Sequence, residues 1–166
     1  MASLRDAALG KLARSVGQRL RLAGLQVATA ESCTGGLLAK CLTDIAGSSD
    51  YFERGWITYS NAAKHTDLGI PKRLIARHGA VSEEVALAMA RGAIDNSQAR
   101  VSIAITGVAG PGGGTKAKPV GTVWIAWGFR RRGKTLAIAL PFRFRGGRDA
   151  VRHQAAAVAL AGLPES

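Results

Sequence analysis

Apolar residues recur along the chain with two periods, and the switching between them marks out the elements. Leu9, Leu12, Val16 and Leu20 fall at helical spacing behind Ser3-Leu4-Arg5-Asp6, a capping-box pattern, and Gly24 closes the segment. This predicts an amphipathic first helix of about five turns. Leu25 to Ala30 reads as a short strand, followed by Glu31-Ser32-Cys33-Thr34-Gly35-Gly36. A second helical period, Leu37, Leu38, Cys41, Leu42 and Ile45, follows at once and predicts a helix over 34–45. Gly47-Ser48-Ser49-Asp50 marks a loop with a helical turn through Phe52, and Gly55 to Tyr59 is a second strand rich in aromatic and β-branched residues. Ser60 or Asn61 caps the next helix, which carries Lys64, and Pro71 opens another short one. Ser82-Glu83-Glu84 starts a helix whose Val85, Met89 and Ala93 form a small-residue face suited to lying close on a sheet. Val101 to Ile105 is a buried strand running into the glycine-rich segment Thr106 to Gly114. Val120 to Trp127 and Thr135 to Leu140 form a hairpin around the basic turn Arg130 to Lys134, and Arg148 to Leu163 is an Ala-rich helix ended by Gly162 and Pro164. The order of elements predicts one domain over residues 1–166, a three-layer α/β/α sandwich with a mixed sheet.

Composition narrows the class. A chain of 166 residues with 47 % hydrophobic content can bury a core without metal or disulfide support. No apolar run approaches the ~20 residues needed to span a bilayer. Met-Ala-Ser-Leu-Arg-Asp-Ala at the start lacks the apolar core of a signal peptide, so the expected location is cytoplasmic. Cys33 and Cys41 match no disulfide framework or common zinc pattern, and His65, His78 and His153 are scattered, so no metal is expected. The net charge of +12 is uneven: residues 130–152 hold eight Arg or Lys and one Asp, a net +7. Such a cluster suits a polyanion or an anionic small substrate. Few aromatics and no recognisable nucleic-acid-binding motif weigh against nucleic acid as the main partner.

Polar, glycine-rich loops follow the strands after Ala30, Tyr59 and Ile105, and they converge beyond the carboxyl ends of those strands if the strands run parallel. They carry Ser32, Thr34, Tyr59, Lys64, Thr106 and several glycines, a set able to supply a serine nucleophile, a lysine base and an oxyanion hole. Gly114-Thr115-Lys116 is not a Walker A sequence and Ala30-Glu31-Ser32-Cys33-Thr34 is not a nucleophile elbow. Lysine serves as a base if burial keeps it neutral, and Ala62 and Ala63 precede Lys64. Cys33 is a rival nucleophile, because a thiolate at a helix N-terminus is stabilised. Consecutive residues of an extended segment point to opposite sides, so only one of Ser32 and Cys33 is expected to face the site, and the sequence leaves open which. The start of the helix after Gly36 offers free N–H groups to a phosphate or an oxyanion.

Taken together, Thr29 to Gly36, Ala46 to Gly55, Thr58 to Lys64, Gly79 to Glu83, Thr106 to Gly113 and Pro119 to Val123 resemble the CinA C-terminal domain family, in particular its stand-alone nicotinamide-nucleotide amidohydrolases. The resemblance runs from about Leu9 to Leu160. It implies hydrolysis of nicotinamide mononucleotide to nicotinic acid mononucleotide and ammonia, a salvage reaction of the pyridine nucleotides, with no cofactor. By the match Ser32 is the nucleophile, with Lys64 and Tyr59 as its activating partners, and Thr34, Gly35, Gly36, Ser49, Thr106, Gly107 and Arg148 are the substrate-binding residues. Gly147 stands where the family pattern has an acidic or amide residue. The family also implies a homodimer or larger assembly. Other readings are a nucleotide- or DNA-associated regulatory protein of the same fold without amidase activity, a Cys33-dependent amidase, and the same chemistry on a related pyridine-nucleotide amide.

Overall fold

The computed structural model describes residues 3–163, so Pro164 lies outside the described residues. The chain runs α1 (Leu4–Leu22), β1 (Val27–Glu31), α2 (Leu37–Thr43), a 3-10 turn (Ser48–Asp50), β2 (Phe52–Ile57), α3 (Asn61–Leu68), α4 (Lys72–His78), α5 (Glu83–Asp95), β3 (Val101–Gly107), β4 (Thr122–Arg131), β5 (Lys134–Arg143) and α6 (Arg148–Ala161). The strands form one sheet in the order β2-β1-β3-β4-β5. β1 pairs in parallel with β2 and with β3, whereas β4 runs antiparallel to both β3 and β5. The sheet is therefore mixed, as expected. The chain leaves β1 for β2 on one side and returns to β3 on the other, which makes the carboxyl end of β1 the topological switch point.

Alternation along the strands divides the interior into two cores. Val27, Ile103, Ile105, Val123, Ile125 and Trp127 face α1, α2 and α6 through Leu9, Val16, Leu20, Leu38, Val151 and Leu160. Ala28, Ala30, Ala104 and Ala126 face the other way, against Val85, Ala86, Met89, Ala90 and Ala93 of α5, with Leu68 of α3 and Ile75 of α4 beside them. Small residues on both surfaces let α5 lie close to the sheet. Ser102 Oγ donates to the Ala90 carbonyl at 2.7 Å, and a Cβ at Gly128 would stand 2.4 Å from the Ser102 Oγ and 3.0 Å from the Ala90 oxygen. The three-layer arrangement follows from these two faces.

Local signals hold at most termini. Ser3 and Asp6 form the capping box, and Gly24 follows α1 at φ +63°. The hairpin turn is tighter than the basic segment implied: Arg131 pairs with Lys134, leaving Arg132 and Gly133 as a two-residue turn at φ 50° and 75°. Positive φ at both positions matches the strand twist, which lets the strands extend into the basic run. Pro71 caps α4 rather than opening it. β1 starts and ends later than expected, and β2 begins earlier and stops at Ile57, leaving Tyr59 beyond its end. β5 is an edge strand whose Leu136, Ile138 and Leu140 remain 50–54 % exposed, on the face shared with Trp127 and Ile125. Among the described residues no helix is long and apolar enough to cross a membrane.

Candidate active site

The segment after β1 folds back on itself instead of starting a helix. Gly35 and Gly36 take φ of +58° and +95°, so α2 begins at Leu37 and is shorter than the helix over 34–45 that the apolar period implied. The N–H groups at that helix start are not free: the Glu31 carboxylate accepts from Gly36, Leu38 and Ala39 at 3.1, 3.0 and 2.8 Å. This corrects the expectation that an exogenous anion would sit there. Gly35 N–H donates to the Ser32 carbonyl. Among the described residues, the N–H groups of Cys33 and Thr34 have no backbone or carboxylate acceptor.

Lys64 reaches this turn from α3. Ser60 caps that helix by accepting from Ala63 N–H, which sets the register placing Lys64 one turn in. The lysine is 1 % exposed, and its Nζ donates to Ser32 Oγ at 3.1 Å and to the Thr58 carbonyl at 2.7 Å. Burial holds its pKa below the ordinary 10.5, against a smaller opposing influence of Cys33. Cys33 itself is pushed up to about 11 by burial, so at neutral pH it is a thiol. Both Ser32 and Cys33 line the same cavity. The alternation that expected only one of them there holds for strands, and these residues lie in a turn past the end of β1.

That cavity, about 300 Å³, opens at the carboxyl ends of the parallel strands. The loop from Thr106 through Gly113 forms one wall and Ala80 and Val81 another, with Tyr59, Asn61 and Arg148 completing it. It contains Lys64 and Arg148 but no carboxylate. Thr106 is buried and donates its hydroxyl to the Ala80 carbonyl, tying β3 to the loop before α5. Arg148 donates to the Gly110 carbonyl at 2.9 Å and to the Tyr59 hydroxyl at 2.7 Å, so three chain segments meet at its guanidinium.

The structure brings together Ser32, Lys64, Tyr59, Thr106, Gly107 and Arg148, and separates others from them. Tyr59 is 57 % exposed and bonded to Arg148; among the described residues neither Ser32 nor Lys64 is its hydrogen-bond partner, although all three line the cavity. Thr34 is fully buried, its carbonyl held by Arg152 at 2.9 Å, and with Gly35 and Gly36 it lies outside the cavity lining. Ser49 sits in the 3-10 turn before β2, at the other end of that strand from the cavity, and does not line it. Sequence reasoning missed Glu31, Asn61 and Arg152. An acidic residue just ahead of a helix start was the one available signal for Glu31; the other two depend on tertiary placement.

Comparison with known proteins agrees with this architecture. The model of the CinA C-terminal domain matches residues 9–166. The nicotinamide-nucleotide amidohydrolase PncC of Escherichia coli K12 is 51 % identical over 158 residues, covering 95 % of this chain and 94 % of that protein. The PncC of Pseudomonas putida is 51 % identical over 152 residues, covering 92 % of each. Among solved structures, the competence/damage inducible protein CihA of Agrobacterium tumefaciens superposes with a TM-score of 0.88 at 44 % identity, covering 94 % of this chain and 93 % of that one. A CinA superfamily protein of Escherichia coli superposes with a TM-score of 0.86 at 38 % identity, covering 97 % and 91 %. With the family model spanning nearly the whole chain and two relatives half identical along it, the chain belongs to the CinA C-terminal domain family.

Proposed function

We propose that this protein is a nicotinamide-nucleotide amidohydrolase that converts nicotinamide mononucleotide to nicotinic acid mononucleotide and ammonia. The observation that carries the reading is the buried Ser32–Lys64 pair at the floor of a cavity without carboxylates, in a chain half identical to PncC proteins. Serine needs a base, and an amine kept neutral by burial is one. Neutral Lys64 takes the Ser32 proton as Oγ attacks the carboxamide carbon. The protonated amine then gives that proton to the leaving nitrogen, ammonia departs, and an ester to Ser32 remains. Water attacks the ester with its proton passing to Lys64, and Lys64 returns a proton to Ser32 Oγ as the carboxylate product leaves.

The Cys33 N–H, which has no backbone or carboxylate acceptor among the described residues and belongs to a residue lining the cavity, is the donor best placed to hold the oxyanion, since those of Gly36, Leu38 and Ala39 are occupied by Glu31. Arg148, which among the described residues is bonded to neutral oxygens alone, keeps its charge for the 5′-phosphate, and Tyr59 orients it. Cys33, a thiol with a pKa near 11, takes no covalent part. The test is ammonia release from nicotinamide mononucleotide by purified protein beside Ser32→Ala and Lys64→Ala. Turnover in the wild type with losses on the order of 10³-fold or more in both folded variants supports the reading. A folded wild type that releases no ammonia from the mononucleotide or from related pyridine-nucleotide amides overturns it.

A further inference from the structure

We propose that Glu31 is a positioning residue for the nucleophile, joining the two halves of the Ser32–Lys64 pair; the inference rests on the serine–lysine reading above. Its side chain is fully buried, and its two carboxylate oxygens accept three N–H bonds from the first residues of α2 and the glycine before them. Among the described residues no lysine or arginine forms an ion pair with it. A buried charge is costly unless hydrogen bonds compensate it, and here the N–H groups and the positive end of the helix do so. Its main chain works on the other side: the Glu31 carbonyl accepts from Thr58 N–H at 2.9 Å, and the Thr58 carbonyl in turn accepts from Lys64 Nζ at 2.7 Å. Ser32 follows directly, its N–H fixed to the Ile105 carbonyl at 2.9 Å.

One residue therefore clamps the turn that presents Ser32 and braces the strand end that anchors its base. A seven-residue helix needs no buried carboxylate to form, and an exposed serine or aspartate would cap it at lower cost. The buried charge makes sense as preorganisation, because a misplacement of about 1 Å can cost on the order of 10²-fold in rate. It also occupies the positive end of α2, so the substrate oxyanion is left to donors outside that helix start, the Cys33 N–H first among them.

The experiment compares Glu31→Gln, Glu31→Ala, Glu31→Asp and Lys40→Gly with the wild type. Lys40 is exposed on α2, so its glycine variant weakens the helix without touching the pair. Two readouts are taken: steady-state kinetics on nicotinamide mononucleotide, and the rate at which Ser32 is labelled by phenylmethanesulfonyl fluoride, which requires no substrate. For folded Glu31→Gln and Glu31→Ala, kcat is expected to fall on the order of 10²-fold, with KM within about threefold and labelling slowed in proportion. Glu31→Asp keeps the charge but stops one methylene short, and about a tenfold loss is expected; if the other two variants do not fold, it carries the test. Lys40→Gly is expected to melt earlier with unchanged kcat and labelling. Wild-type kcat and labelling in the folded Glu31 variants, an equal loss in Lys40→Gly, or a chain unfolded in all three Glu31 variants overturns the proposal. A wild type that labels at Ser32 but does not turn over the mononucleotide removes the substrate and leaves the Glu31 result standing. A wild type that does not label overturns both.

Discussion

Lys64 shows how one side chain ties stability to activity. Burial depresses its folded pKa below 10.5, so the unfolded state binds more protons between the two values. Stability contributed through this group therefore rises with pH across that window, and it is lost on acidification as the buried amine must be charged. Activity follows the same direction, since only the neutral amine is a base. The expected outcome is a kcat/KM that climbs with pH to a plateau, with a midpoint below 10.5, measured by ammonia release in a set of overlapping buffers. Lys64→Arg is not expected to restore the activity lost in Lys64→Ala, because a guanidinium stays charged. Cys33 gives the complementary result. With its thiol near 11, brief treatment with iodoacetamide at neutral pH is expected to leave turnover intact, and Cys33→Ala to retain activity within about threefold. The serine, the lysine and the rival cysteine were all legible as residue types in loops. Choosing between neighbours was not, because in a turn the direction of each side chain depends on dihedrals that no alternation rule supplies.

At the scale of elements, the site is a meeting of loops that parallel strand order brings to one edge. Arg148 at the first turn of α6 holds the Gly110 loop and the Tyr59 loop together. Arg148→Ala is expected to raise KM for nicotinamide mononucleotide by roughly ten- to a hundredfold, with a much smaller effect on nicotinamide riboside, which lacks the phosphate. The helix expected over 34–45 starts too early because Thr34 reads as a cap, whereas Gly35 and Gly36 at positive φ hold the chain out of the helix until Leu37. Gly36→Ala is expected to destabilise the protein by about 1–2 kcal/mol or more, read as a lower denaturant midpoint, since a side chain is strained there. A Cβ at this position would also stand 2.9 Å from Ile57 Cδ1. Ser49 shows the limit of a linear motif: it lies among matching residues in the sequence, yet the strand it precedes carries the chain the length of the sheet before reaching the cavity.

At the scale of the whole molecule, the alternation of helical and strand periods was enough to read three layers, because each strand with its following helix leaves few ways to bury both faces of a sheet. The difference between the two faces, large aliphatics toward α1 and α6 and alanines toward α5, was visible only in part from Val85, Met89 and Ala93. The exposed row on β5 was not visible at all, since Leu136, Ile138 and Leu140 look like any buried run until the sheet order makes their strand an edge. That edge has a colloidal consequence. An open apolar strand invites the same strand of another molecule, and the arginines and lysines concentrated from 130 to 152 keep like molecules apart by mutual repulsion. Raising the salt shortens the reach of that repulsion from about 10 Å at 0.1 M to about 3 Å at 1 M. Light scattering is therefore expected to grow with sodium chloride, and Ile138→Lys to suppress the growth without altering turnover: the excess charge acts as the solvent-side guard of a surface that the fold leaves uncovered.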